Sequence, residues 1–262
     1  MLALVTGGSR GIGRATALRL ARDGHDVAIV YRRDAAAAAE VEAAVRALGR
    51  RCHVLQADLG EPAEVAATLE RLAGEPPVGI FVANAAATAF KTVLETKPHH
   101  VQKTYAITIG AFLQIVQALA PRMPDGGRIV TMSGMDTHRY VHGHGILASA
   151  KSALETLTKY LAMELGPRGI TVNAVNPGYV ETDSIAMYFQ TPEARAGFTE
   201  ELEAATPLRA VGSPEDVADL VSFVCSPQAA WLQGQVLYLD GGIFFHAPGH
   251  THRWLRRTGR VS

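Results

Sequence analysis

Short apolar runs alternate along this chain with longer stretches in which apolar residues recur at helical spacing. Leu2–Thr6, Asp26–Tyr31, His53–Gln56, Ile80–Ala83, Arg128–Met132, Thr171–Val175 and Gln235–Leu239 predict strands. Between them, Gly13–Asp23, Ala35–Leu48, Pro62–Ala73, His99–Leu119, Ser149–Leu165 and Pro214–Cys225 predict helices. Gly49 and Gly166-Pro167 are stop signals, and Ser213-Pro214-Glu215 is a start. Strands that are apolar almost throughout, each followed by a helix, imply a parallel sheet covered on both faces. The expectation is one doubly wound α/β domain over residues 1–262. The longest irregular stretch, 179–212, reads as a substrate lid, and the basic, histidine-rich 249–262 as a frayed tail.

Composition changes this picture little. With 262 residues, 48% hydrophobic and 19% charged, the chain can bury a large core. A formal net charge of zero provides no field to recruit nucleic acid or a membrane surface. No apolar run is long enough to span a bilayer, and the first strand begins at Leu2, which leaves no room for a signal peptide. The two cysteines, Cys52 and Cys225, sit in apolar settings and read as buried free thiols, not as a disulfide or metal site. A cytoplasmic protein without a bound metal is the expectation.

The first chemical signal follows the first strand directly: Thr6-Gly7-Gly8-Ser9-Arg10-Gly11-Ile12-Gly13. A glycine-rich turn between a strand and a helix lets backbone approach a pyrophosphate and aims free N–H groups at it. Gly7 suits the tight turn, Gly11 the close approach and Gly13 the packing of helix on strand. The segment resembles the T-G-x-x-x-G-x-G loop of the short-chain dehydrogenase/reductase family, and the resemblance runs along nearly the whole chain. Asp58-Leu59 resembles the family's adenine-contacting pair, and Asn84-Ala85 part of its N-N-A-G segment. Pro177-Gly178 with Thr182 resembles its P-G-x-x-x-T element at the nicotinamide, and Asp240-Gly241-Gly242 its closing D-G-G. The resemblance implies a Rossmann fold, a dinucleotide held by Gly7, Ser9, Arg10, Gly11, Ile12, Gly13, Asp58, Leu59, Asn84, Ala85, Pro177, Gly178 and Thr182, and assembly as a homotetramer. After the second strand stand Arg32 and Arg33, where an NAD enzyme would carry a carboxylate. Guanidinium groups there, with Arg10, suit a 2′-phosphate and predict NADP(H).

The other half of the family pattern is broken. The resemblance implies a Ser, a Tyr, a Lys and an Asn acting together, with Tyr as the acid and Lys lowering its pKa and holding the ribose. Lys151 matches and would contact cofactor as well as serve catalysis. The Tyr position, four residues earlier, is Leu147. The Ser position is Gly134, with Ser133 one place early, and the Asn position is Ile107. The enoyl-acyl-carrier-protein reductases of this superfamily space their Tyr seven residues before the Lys, and that position is His144. The Arg139-Tyr140 pair resembles the NADPH-dependent branch of those reductases. His144, Tyr140 and Ser133 are therefore the candidate catalytic groups beside Lys151.

Chemistry separates the readings. Hydride addition to an unsaturated thioester builds charge on an oxygen that needs a hydrogen-bond donor, whereas a ketone must receive a proton on a forming alkoxide. Loss of the tyrosine therefore favours reduction of a conjugated C=C bond in a small-molecule substrate carried as a thioester. An apolar lid (Ile185, Ala186, Met187, Tyr188, Phe189) over Ile107, Met135 and Leu147 suits an apolar acyl or cyclic group. A ketoreductase of a specialised pathway and an inactive NADP-binding subunit remain open. No carboxylate that would orient His144 is evident, which favours solvent as the proton source.

Overall fold

The protein is described here by a computed structural model, covering residues 1–182, 189 and 191–244. Seven strands form one sheet: β1 Leu2–Thr6, β2 Asp26–Tyr31, β3 Cys52–Gln56, β4 Val78–Ala83, β5 Arg128–Met132, β6 Thr171–Pro177 and β7 Val236–Leu239. All neighbours are parallel, in the order β3-β2-β1-β4-β5-β6-β7. The order reverses between β1 and β4. Beyond the carboxyl ends of those two strands the connections diverge to opposite faces and leave a crevice.

The α-helices are α1 Gly11–Arg22, α2 Ala35–Ala47, α3 Pro62–Leu72, α4 Pro98–Tyr105, α5 Ala111–Leu119, α6 Gly145–Leu165, α7 Pro192–Ala205 and α8 Pro214–Cys225. Alternate residues of each strand feed two cores. Leu4, Phe81, Ile129 and Val172 pack with Phe112, Ile115 and Leu154 on one face. Val5, Ile29, Val82 and Val130 pack with Leu18, Val41 and Val221 on the other.

Three departures from the sequence pattern bear on function. The helix predicted over 99–119 is interrupted by a π turn, Ala106–Gly110, between α4 and α5; such turns insert an extra residue and re-aim the side chains around it. Helix α6 starts four residues earlier than Ser149, so His144 becomes its N-cap and not a residue of a free loop. The stretch 179–212 is not irregular throughout, because it contains α7, whose N-cap Thr191 accepts from the Ala194 N–H at 3.2 Å. The tail 249–262 and lid residues Ile185, Ala186, Met187 and Tyr188 lie outside the described residues. Among the described residues no helix is long and apolar enough to cross a membrane.

Candidate active site

The β1–α1 turn is shaped by what it lacks. Gly7 and Gly11 have φ of 66° and 53°, a region costly for side chains. A Cβ on Gly13 would stand 2.1 Å from the Gly7 carbonyl oxygen. A Cβ on Gly11 would lie 3.5 Å from the Thr182 methyl, so the glycine turn and the P-G-x-x-x-T element face each other. Arg10 is the N-cap of α1 but makes no side-chain cap, and the first turn has no acidic residue. Its free N–H groups and positive dipole end are left for an anion. Ile12 packs inward against the second core, and Ser9 is buried.

Asn84 braces this turn. Its Nδ2 donates to the carbonyls of Thr6 and Gly7 at 3.0 and 3.3 Å, while the Thr6 hydroxyl accepts from the N–H groups of Asn84 and Ala85. Gly178 closes the opposite wall: a Cβ there would stand 2.8 Å from the Asp240 backbone. Pro177 is the last residue of β6.

At the end of β2, Arg32 reaches Asp58 at 3.6 Å, and Arg33 is exposed. Asp34, the carboxylate that follows them in the sequence, accepts from the Ala37 N–H at 2.9 Å as the cap of α2. One of its oxygens is thus committed to the helix cap. Asp58 spends its other oxygen on the Gly60 N–H at 2.9 Å. The Leu59 side chain lies in the first core, in the same cluster as Ile107.

At the end of β5 the arrangement departs further from expectation. The Ser133 hydroxyl is buried and donates to Glu155 at 2.5 Å, which removes it from the candidate acids. Glu155 also accepts from Asn176 Nδ2 at 3.0 Å and from Thr137 at 3.2 Å. What Ser133 offers instead is its carbonyl, which accepts from Lys151 Nζ at 2.7 Å. Tyr140 is 87% exposed and its hydroxyl meets His142 at 3.3 Å, so it does not reach toward Lys151. Ile107 is 7% exposed and lies within the first core. Leu147 itself is buried in the first turn of α6, with no atom able to exchange a proton.

His144 is the group that gains a partner. Its Nδ1 lies 2.9 Å from Asp136 Oδ2, and the two side chains are 17% and 5% exposed. Asp136 sits in the short turn Met135–Thr137 after β5. Its Oδ1 is also buried and makes no hydrogen bond to another of the described residues. Burial works to raise the Asp136 carboxyl, but the His144 hydrogen bond and the charges of Lys151 and His144 outweigh it and hold the group below its ordinary range. Burial pulls the Lys151 ammonium below the usual lysine range, against the charges of Asp136 and Glu155. The ring of Phe90 stands 5.8 Å from the His144 ring and forms a wall beside it. Phe90 has φ of 50°, an uncommon conformation for a bulky residue at the rim of a site.

Sequence reasoning missed Asp136. It lies eight residues before His144, across the Gly143 turn, and no local spacing links them. Only the turn after β5, folded back against the start of α6, brings the two together.

A family model described as enoyl-(acyl carrier protein) reductase matches residues 7–244. The chain is 35% identical over 250 residues to the 1-cyclohexenylcarbonyl-CoA reductase of Streptomyces collinus, covering 94% of this chain and 88% of that protein. Among solved structures it is similar to a blue fluorescent protein from a metagenomic library in complex with NADPH, with 36% identity, a TM-score of 0.84, and 92% of this chain and 97% of that one covered. It is also similar to the angucycline C-6 ketoreductase LanV with bound NADP, with 34% identity, a TM-score of 0.85, and 93% and 95% covered.

Proposed function

The chain belongs to the short-chain dehydrogenase/reductase family of oxidoreductases, and from that premise we propose that it reduces a conjugated C=C bond, carried on an acyl thioester, at the expense of NADPH. The observation that carries this reading is the contrast within one crevice. The glycine turn, Asn84, Lys151 and Thr182 of a dinucleotide site are assembled, whereas buried Leu147 stands at the family's acid position.

NADPH, when bound, supplies the hydride. The free N–H groups at the start of α1 receive the pyrophosphate, and Arg32 and Arg33 with Arg10 receive the 2′-phosphate. Lys151, held by the Ser133 carbonyl, would serve the ribose, and Thr182 with Pro177-Gly178 would line the nicotinamide end. As hydride reaches the β-carbon, the C=C electron pair shifts onto the thioester oxygen. A hydrogen-bond donor there stabilises the charge, and a proton delivered to the α-carbon completes the reduction. His144 is the donor the geometry offers; water restores its proton. Similarity to 1-cyclohexenylcarbonyl-CoA reductase supports an acyl thioester with an apolar or cyclic group.

A second reading, reduction of a ketone, has its own support. The Asp136–His144 contact could furnish the full proton that an alkoxide demands, and LanV is a ketoreductase. The deciding experiment follows NADPH oxidation against enoyl-thioesters, quinones and polycyclic ketones. Turnover of enoyl-thioesters alone is expected. Turnover confined to ketones transfers the assignment to the second reading, and no turnover of any leaves an NADP-binding subunit.

We place residues 1–262 in one catalytic domain with 179–212 over its mouth, and we place the protein in the cytoplasm as a homotetramer. Both cysteines are free and buried, with thiols pushed up to about 11 at Cys52 and about 12 at Cys225, which suits a reducing compartment. Tyr160 and Met163 leave an apolar face of α6 exposed, at 66% and 79%, for contact with a second copy. Light scattering on the purified chain tests the tetramer.

A further inference from the structure

We propose that Asp136 is a positioning residue that holds His144 as proton donor, and that Gly134 belongs to the same device because its missing side chain makes room for the carboxylate. The reductase reading identifies what the proton serves; the carboxylate–imidazole contact stands without it.

Space supplies the first part of the argument. A Cβ on Gly134 would lie 2.9 Å from Lys151 Nζ and 3.0 Å from Asp136 Oδ1. Residue 134 has extended backbone that any residue can adopt, so glycine is not required there by conformation. What a side chain would disturb is the approach of Asp136 and Lys151 over that backbone. Leaving 134 bare keeps the Asp136 carboxylate against the imidazole while Lys151 reaches the Ser133 carbonyl beside it. Two departures from the family pattern, at 134 and 144, are thereby parts of one arrangement.

Charge supplies the second part. His144 is the N-cap of α6 and sits at the positive end of a 21-residue helix, which opposes a cationic ring. An ionised carboxylate at 2.9 Å opposes that field and accepts the Nδ1 proton. With Nδ1–H fixed, Nε2 is the nitrogen that gives its proton to the substrate, and the ring left behind is neutral and still bonded to Asp136. No proton needs to reach Asp136, which the Lys151 and His144 charges keep ionised. The balance is one hydride from NADPH to the β-carbon, one proton from Nε2 to the reduced substrate, and one proton from water back to Nε2. Phe90, tilted beside the ring, and Asp136, against Nδ1, both contribute to orienting it.

Two measurements on the full-length chain test this. In NADP+-loaded, 15N-labelled protein, a low-field imidazole Nδ1–H proton shielded from exchange is expected, and it should vanish in Asp136→Asn and in His144→Gln. Its absence from the folded wild type overturns the proposal. A double-mutant cycle follows, on whichever substrate class the reduction panel identifies. His144→Gln should lower kcat by about 10²–10⁴-fold, the usual worth of a positioned acid. Asp136→Asn should lower it by about 10²-fold, as for a misplaced catalytic group. The two changes together should cost no more than His144→Gln alone, with NADPH affinity held within about twofold throughout. Additive losses would give Asp136 an independent structural role and overturn the proposal. Turnover of ketones in place of enoyl-thioesters would sink the C=C reading while leaving the cycle intact. If nothing on the panel turns over, the imidazole resonance alone decides.

Discussion

At the β1–α1 turn the crevice is built of backbone; at the β5–α6 junction it is built of side chains. The first region presents glycines, free N–H groups and a helix dipole, with Asn84 spent on bracing carbonyls. Such a site is all or nothing, because a Cβ at Gly13 would strike the Gly7 carbonyl and no other side chain could relieve it. The second region presents Asp136, His144, Lys151 and Glu155, each reaching in from its own backbone position. There one residue type can give way to another if a neighbour moves into the space. The backbone-built half keeps the family pattern, and the side-chain-built half departs from it.

The largest effect that could break this comparison is at the residue shared by both halves. Lys151→Ala should lower NADPH affinity and kcat together, with kcat down by about 10²-fold or more, because it removes both the ribose contact and the charge beside Asp136. Loss of kcat alone, with cofactor affinity untouched in a fluorescence titration, would confine Lys151 to the side-chain half.

Next is Gly134→Ser, which restores the family's residue. It should impair the enzyme, because the new side chain meets Lys151 and the Asp136 carboxylate at about 3 Å. Overpacking of this kind costs about 1–3 kcal/mol, so a roughly tenfold fall in kcat with a lowered melting temperature is expected. Improved turnover would show that Gly134 is a defect and not a clearance.

The backbone half is sharpened by cofactor choice. NADPH should bind at least about tenfold more tightly than NADH, or about 1.4 kcal/mol, and Arg32→Ala with Arg33→Ala should erase the difference. Equal affinities in the unaltered protein would remove these arginines from the site. The smallest change is expected from Leu147→Tyr, within a few-fold of the starting rate in steady-state assays, because no hydroxyl from 134 and no amide from 107 would meet the phenol. A gain of 10²-fold or more would show that the old acid position is still competent.

Legibility followed the same division. Strands β1, β2 and β4 were visible because both faces of the sheet are covered there, which makes each run almost wholly apolar. Ser213-Pro214-Glu215 announces α8, and Thr191-Pro192-Glu193 carries the same signal for α7. Yet α7 buries no side chain, so it lacks the periodicity that marks the other helix, and the pattern reads as irregular there. The glycine turn was legible because its function resides in consecutive residues. The Asp136–His144 contact was not, because it depends on a turn whose path no local spacing reveals. For the same reason Ser133 and Tyr140 were plausible from position alone, although one hydroxyl is taken by Glu155 and the other stands at the surface.

The bare backbone at 134 also sets the order in which such a chain can change. A serine placed there alone displaces the carboxylate that steadies the ring, and a tyrosine placed at 147 alone finds no partner hydroxyl. Each single step toward the family's tetrad is expected to be neutral or harmful, with gain only from several together. The two designs are separate peaks with a valley between them, and the fold beneath, with its glycine turn unchanged, serves either one.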